Sequence, residues 1–259
     1  MTILATAPNP GFEAPGAADF DLPPIFGEVT KPVLQFVLAA ILVWAFFAIS
    51  ARRPQLVPSK AQFAGESFHG IVRNSIARDN IGPEFLKYVP YLTTLFAFIL
   101  VNNLFGIVPF IQFPSFSHPG MAYALAAMSW IIYNVVGIRK HGFVGYLRVS
   151  TWPPGVPWWV RIILTPIEFL SNILLRPLTL SLRLFGNMFA GHLLLLVFIL
   201  GGEYMLLHSE SITLAVLSPF AFGMGIVFTF FEAFIQVVQA YVFTILTASY
   251  VGTVLADDH

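Results

Sequence analysis

LTLSLRLFGNMFAGHLLLLVFIL, residues 178–200, is apolar enough to enter a lipid bilayer, yet it carries Arg183 near its centre, with Asn187 and His192 close behind. A guanidinium group does not lose its proton in proteins, and a central arginine facing lipid is penalised by at least about 2.5 kcal/mol. The stretch therefore predicts a membrane helix whose polar side faces protein or water.

The composition of the whole chain supports a membrane environment. Of its 259 residues, 57% are hydrophobic and only 10% are charged, whereas soluble proteins average about 25% charged residues. The chain has no cysteine, which excludes disulfides and thiolate metal sites, and its net charge of zero gives no footprint for nucleic acid. No cofactor is expected.

Five apolar runs are long enough to cross a hydrocarbon core, which takes roughly 20 helical residues. They lie near 32–50, 88–110, 120–138, 162–200 and 212–256. At about 1.5 Å per residue the last two would measure roughly 58 Å and 67 Å, so we expect a steeply tilted hairpin. The sequence predicts an all-α integral membrane protein, with residues 1–30 as an exposed tail and 31–259 as a single membrane domain.

Basic residues indicate the orientation, because cytoplasmic connections collect Lys and Arg. Two connections hold most of them: Arg52, Arg53, Lys60, Arg73, Arg78 and Lys87 in the first, and Arg139, Lys140, Arg148 and Arg161 in the second. We therefore expect the acidic N-terminal tail (Glu13, Asp19, Asp21, Glu28) outside and the C-terminal ADDH inside. Only Lys31, Arg176 and Arg183 remain, and the last two lie within apolar helix.

Both basic connections show local patterns. Ser59-x-x-Gln62 resembles a capping box, and apolar residues then recur at helical spacing, which predicts a short amphipathic surface helix. The second connection places Trp152, Trp158 and Trp159 beside prolines, which is typical of an anchor at the membrane edge.

A polar stripe follows the first long helix. On a wheel of about 100° per residue, seven residues fall within about 60° of one line: Glu168, Asn172, Arg176, Thr179, Arg183, Asn187 and Ala190. Arg183 has no carboxylate three or four residues away. Its counter-charge could come from Glu232 on the other long helix, as an internal ion pair, or from a second chain, which the small residues beside the stripe favour.

Two titratable residues form a second candidate site. His192 lies about 180° from Arg183 on the wheel, and Glu232 shares a face of the last helix with Gln236 and Gln239. A hairpin can bring His192 opposite Glu232. The pair then serves either as a proton relay inside the membrane or as a neutral hydrogen-bonded clamp.

The stretches PLTLSLRLFGNMFAGH (177–192) and FEAFIQVVQAYVFTILTASY (231–250) closely resemble subunit a of the F-type ATP synthase membrane sector. The resemblance extends to NNLFGIVP (102–109) and VPSK (57–60), and so covers most of the chain beyond residue 30. It implies a non-catalytic, ion-translocating subunit of a bacterial inner membrane, with a ring of c-subunits, b-type stalk subunits and the remaining F0F1 subunits as partners.

The resemblance also implies roles for individual residues. Arg183 matches the arginine that meets each c-subunit carboxylate, with Asn187 and Gln239 beside it. His192 and Glu232 match a pair of positions that hold the same two residue types in exchanged order in some bacterial members. The pH behaviour of those members therefore does not transfer to this chain.

Two further matches are weaker, and the role of Arg176 stays open between two alternatives. Glu168 resembles the acid at the cytoplasmic exit, although it precedes Arg183 by one residue more than the resemblance implies. Asn103 and Gly106 match a short family stretch in which some members place a carboxylate at the Gly106 position, so packing is the expected role here. Arg176 either lines the exit path or extends to lipid headgroups.

The implied mechanism has two offset half-channels. A ring carboxylate is neutral in lipid, ionises beside Arg183, and releases its proton to the cytoplasm; an outside half-channel lined by His192, Glu232, Gln239 and Asn187 then reprotonates it. A self-contained proton-coupled transporter is the rival hypothesis, but it predicts internal repeats and broken helices, and neither is clear. A purely structural anchor leaves Arg183 unexplained.

Overall fold

The computed structural model describes residues 12, 14–16, 20, 27, 30–52, 54–108, 111, 113–151, 157–208 and 211–256. Within these ranges the chain is helical, and no strand occurs. Five helices in the described part are long and apolar enough to cross a membrane. The predicted all-α membrane architecture is confirmed.

The eight α-helices are α1 (Lys31–Ala51), α2 (Lys60–Ile71), α3 (Arg78–Ile81), α4 (Phe85–Leu104), α5 (Pro119–Thr151), α6 (Trp158–Phe169), α7 (Arg176–Leu207) and α8 (Ile212–Leu255). Two π-helical segments connect neighbouring helices without a break: Val72–Ala77 joins α2 to α3, and Leu170–Leu175 joins α6 to α7. The last two spans are Ile162–Leu207 and Ile212–Leu255, with 46 and 44 residues, and they pack together as the predicted hairpin.

Three predicted helix ends differ from the structure. The second span ends at Leu104 instead of 110, because Gly106, a poor helix former, follows two residues later. The third span continues past 138 to Thr151, with a break at Gly142, where φ is 71°. The fourth continues from 200 to Leu207. Hydropathy does not mark the end of a helix that continues into a polar region.

The core lies between α4, α5, α7 and α8. Leu184 and Met188 from α7 meet Ala240 and Phe243 from α8 in this cluster, and all four are fully buried. The first helix packs at the edge, against α2 and α4, and its Trp44 is 73% exposed. Because lipid tails are apolar, close packing and not water exclusion stabilises such a helix bundle in a membrane.

The predicted surface helix corresponds to α2 and the π-helical segment after it. The Ser59 hydroxyl accepts a hydrogen bond from the Gln62 backbone N–H over 3.3 Å. The Gln62 side chain does not complete the capping box, because it bonds to Gln55 and Glu66 instead. Val72 and Ile76 are fully buried, whereas Ile71 is 50% exposed.

Parts of several predictions fall outside the described residues. These are the acidic residues of the N-terminal tail, Arg53, Trp152, the side chains of Trp158 and Arg161, and the last three residues of the C-terminal ADDH.

Candidate proton-transfer site

A side-chain hydrogen bond and an aromatic stack hold α7 and α8 together along the hairpin. The Ser218 hydroxyl donates to the Gly202 carbonyl oxygen over 2.9 Å. Further from the turn, the rings of Phe198 and Phe228 stack with centroids 4.9 Å apart. Such contacts fix how α7 is rotated relative to α8, and therefore which side chains face each other and which face outward.

Arg183 lies on the outward side of this hairpin. Its side chain is exposed, as are those of Thr179, Asn187 and Ala190 on the same stripe. Within the described ranges, Arg183 has neither an ion pair nor a hydrogen bond. The internal ion pair with Glu232 is therefore not formed in this structure, and the guanidinium is available to a partner.

Asn187 links the exposed stripe to α8. Its amide Nδ2 donates to the Gln239 Oε1 over 2.8 Å. Asn187 is exposed and Gln239 is only 3% exposed, so the bond joins an outward residue on α7 to a buried one on α8. The structure thus brings together these two predicted residues one helical turn from Arg183.

Glu232 is buried between the helices, with 3% of its surface exposed. Its Oε1 accepts a hydrogen bond from the Gln236 Nε2 over 3.2 Å, while its Oε2 is buried without a hydrogen bond to the described residues. A carbon added at Gly191 would lie 3.5 Å from the Glu232 Cγ. Glu232 therefore packs directly on α7, beside a glycine that leaves room for it.

His192 follows Gly191 on α7 and is 5% exposed. Its ring makes an edge contact with Phe20, with centroids 5.8 Å apart. The Nδ1 atom is buried and has no hydrogen bond to the described part of the chain. No hydrogen bond joins His192 to Glu232 among the described residues, so a direct relay between the two is not formed in this conformation.

A cavity of about 210 Å³ opens beside Glu232. Its lining includes Asn187, Gly191 and Glu232 as well as apolar residues of both helices. Along α7 this cavity lies on the C-terminal side of Arg183. It joins the buried carboxylate to the exposed stripe.

A second cavity, of about 190 Å³, lies on the N-terminal side of Arg183. Its lining includes Glu168, Asn172 and Arg176 together with Thr253 of α8. The Asn172 Nδ2 donates to the Glu168 Oε2 over 3.2 Å, and the Arg176 guanidinium lies over the Tyr250 ring, 4.9 Å from its centroid. The three polar residues that start the predicted stripe thus line one cavity.

The π-helical segment Leu170–Leu175 lies between Glu168 and Arg183. A π-turn holds one residue more than an α-turn. This segment therefore changes the direction of Glu168 around the helix axis relative to an uninterrupted α-helix.

Two contacts of the site were not predicted from the sequence. Gln236 contacts Glu232, and its carbonyl oxygen accepts a hydrogen bond from the Asn103 Nδ2 over 3.0 Å; the spacing of four between Glu232 and Gln236 was a usable signal. Tyr250 carries no such signal, because its contact with Arg176 depends on how α7 and α8 pack. The described residues include no group of three His, Asp or Glu side chains placed to hold a metal ion.

Comparisons with known proteins agree with these observations. A family described as ATP synthase A chain matches residues 33–252. The ATP synthase subunit a of a Nocardioides species is 53% identical, with 100% of this chain and 98% of that protein covered. The subunits a of Pseudarthrobacter chlorophenolicus and Streptomyces lividans are 46% and 38% identical; each comparison covers 96% of this chain, with 95% and 90% of those proteins.

Proposed function

This chain belongs to the ATP synthase A chain family, and on that premise we propose that it carries two offset half-channels, with Arg183 between them. Subunits of this kind are membrane components of the F0 sector and imply proton translocation. In the proposed arrangement, protons cross the membrane only by way of carboxylates on a rotating partner ring.

The observation that carries the proposal is the exposed, unpaired state of Arg183 within the described residues. A charged side chain at membrane depth faces either a partner charge or water, because lipid penalises it. A ring carboxylate on a second chain supplies that charge. Beside the guanidinium the carboxylate ionises, because a nearby opposite charge favours the charged form.

The two cavities support separate paths to and from this point. The cavity at Glu168 and Arg176 lies on one side of Arg183 along α7, and the cavity at Glu232 lies on the other. We assign the first to proton exit toward the cytoplasm and the second to proton entry from outside. Arg183 lines neither cavity, and its fixed charge repels a proton that would pass directly between them.

Asn187 and Gln239 have a positioning role in this proposal. Their 2.8 Å hydrogen bond fixes the rotation of α7 one turn from Arg183. His192 and Glu232 provide titratable groups for the entry path; since they are not directly bonded, a water molecule or a side-chain rotation has to connect them. Arg176, held over Tyr250, lines the exit path.

The orientation follows from the basic connections. Both connections are rich in Lys and Arg, including the exposed Lys60 and Arg148, which supports a cytoplasmic position for them in a bacterial inner membrane and an N-terminus outside. The c-ring and the b-type stalk subunits complete the membrane sector.

Substitution of Arg183 by alanine tests the proposal. In inverted membrane vesicles, ATP-driven acidification measured with a pH-sensitive dye should be lost, while the ring still copurifies with the chain. Arg183→Lys should show little ATP-driven acidification, because an ammonium group lacks the planar pair of donors with which a guanidinium contacts a carboxylate. Normal coupled pumping by Arg183→Ala would overturn the assignment.

Leu182→Ala is the matched control. Leu182 is the adjacent residue and is 45% exposed, so its truncation changes the same outward surface without changing a charge. We expect this variant to pump nearly as well as the unmodified complex.

A further inference from the structure

A cavity outside the proposed proton path lies where both basic connections meet the bundle. Its volume is about 290 Å³, and it is bounded by the start of α4, the middle of α5 and the end of α8. Its polar end is lined by Glu84, Lys87, Tyr88, Arg139, Lys140 and Leu255. None of these residues lines either cavity beside Arg183.

The lining of this cavity is predominantly cationic. Three of its side chains are basic and one is acidic, and all four are exposed. Neither Lys87 nor Arg139 forms an ion pair with Glu84 within the described ranges. With three cationic side chains and one anionic side chain in the lining, the cavity presents a net positive charge to an anion from outside.

Contacts with the bundle hold two of the cations in place. The Lys140 ammonium donates a hydrogen bond to the Leu255 carbonyl oxygen at the end of α8. The Lys87 ammonium lies 5.7 Å from the centroid of the Tyr88 ring. Arg139, on the turn of α5 that also carries Lys140, has a guanidinium with paired donors suited to phosphate oxygens.

One wall of the cavity is apolar. Val135 and Val136 line it, about one helical turn before Arg139 and Lys140 and toward the apolar part of α5. Val135 is 39% exposed. The cavity therefore offers cations at its polar end and apolar side chains at its membrane end. This combination matches an amphipathic anion better than a small inorganic anion.

We propose that this cavity binds the phosphodiester headgroup of an anionic phospholipid, with Lys87 and Arg139 at the phosphate and an acyl chain along the two valines. Basic pockets between membrane helices on the cytoplasmic side commonly recognise such headgroups. A lipid bound there would bridge α4, α5 and the end of α8. Free phosphate shares the headgroup chemistry but not the contact with the apolar wall.

Native mass spectrometry of the full-length, delipidated chain in detergent tests the assignment. Phosphatidylglycerol and phosphatidylcholine with identical acyl chains are titrated in parallel. We expect phosphatidylglycerol to bind about tenfold more tightly or better, and the double variant Lys87→Gln/Arg139→Gln to lose that preference. The charge-conserving double variant Lys87→Arg/Arg139→Lys should keep the preference for phosphatidylglycerol. This variant distinguishes a loss of charge from a loss of folding as the cause of weaker binding.

The matched control is Lys60→Gln/Arg148→Gln, which removes two exposed cations outside this cavity and should keep the preference. Equal binding of the two lipids, or a preference that survives Lys87→Gln/Arg139→Gln, would refute the site. Displacement of phosphatidylglycerol by an equal concentration of inorganic phosphate would assign the cavity to a free anion and overturn the lipid proposal.

Discussion

Replacing Gly186 with leucine separates the stability of the chain from its fit to a partner. Gly186 lies one turn after Arg183 on the outward side of α7, and a carbon added there would have no neighbour within 4 Å. In the isolated chain a leucine therefore fits, and the loss of a helical glycine should stabilise the helix by up to about 1 kcal/mol.

The assembled complex should respond in the opposite direction. Helix axes pack 8–10 Å apart depending on the side chains between them, so a leucine at a position where another helix approaches a glycine would move that helix by up to about 2 Å. A displacement of about 1 Å at a reacting pair can cost about 100-fold in rate. We expect ATP-driven proton pumping to fall by about that factor.

Two measurements check this prediction. Thermal unfolding of the purified chain in detergent should show an unchanged or raised midpoint, and pumping in inverted vesicles should be lost. Gly120→Leu is the control, because Gly120 also has open space around an added carbon and lies at the start of α5. If Gly186→Leu pumps as well as Gly120→Leu, no ring helix approaches this part of α7 closely.

Three other substitutions test individual contacts. Gly137→Ala should destabilise the chain by about 1–3 kcal/mol through overpacking, measured by thermal unfolding, because the new carbon would lie 2.5 Å from the Tyr146 ring. Gln239→Leu removes the hydrogen bond from Asn187. A double-mutant cycle that combines substitutions at Asn187 and Gln239 should give a coupling of about 0.6 kcal/mol in the free energy of unfolding, and a coupling of zero would contradict the bond. Glu232→Gln keeps a hydrogen-bonding group of the same shape but cannot release a proton, so pumping should fall at least tenfold at an unchanged unfolding midpoint; normal pumping would exclude Glu232 from the path.

Most of the fold could be predicted because length and hydropathy constrain a membrane helix strongly. Five spans follow from five apolar runs, and the excess length of the last two predicts their hairpin. Helix ends were harder to predict, because they depend on local backbone preferences. Leu104 ends α4 before an apolar run ends, and Gly142 breaks α5 inside a region that remains helical.

The positions of the site residues could be predicted only where they depend on a single helix. The outward position of Arg183 follows from the stripe on α7. The residue that faces Glu232 from α7 does not, because it depends on the rotation of α8 against α7: Gly191 packs on Glu232, and His192 instead lies against Phe20. A wheel shows which residues share a face, but not which face of the neighbouring helix they meet.

The π-helical segment explains how Glu168 reaches the side of the helix that carries Arg176. At about 100° per residue, Glu168 would lie about 60° to one side of Arg183, opposite in sense to Arg176. One extra residue in the Leu170–Leu175 segment rotates everything before it by about 100°, which moves Glu168 to the side of Arg176. Asn172, within the segment, moves the same way. The shared cavity of Glu168, Asn172 and Arg176 therefore depends on the π-turn, while Arg183, beyond it, keeps its outward direction.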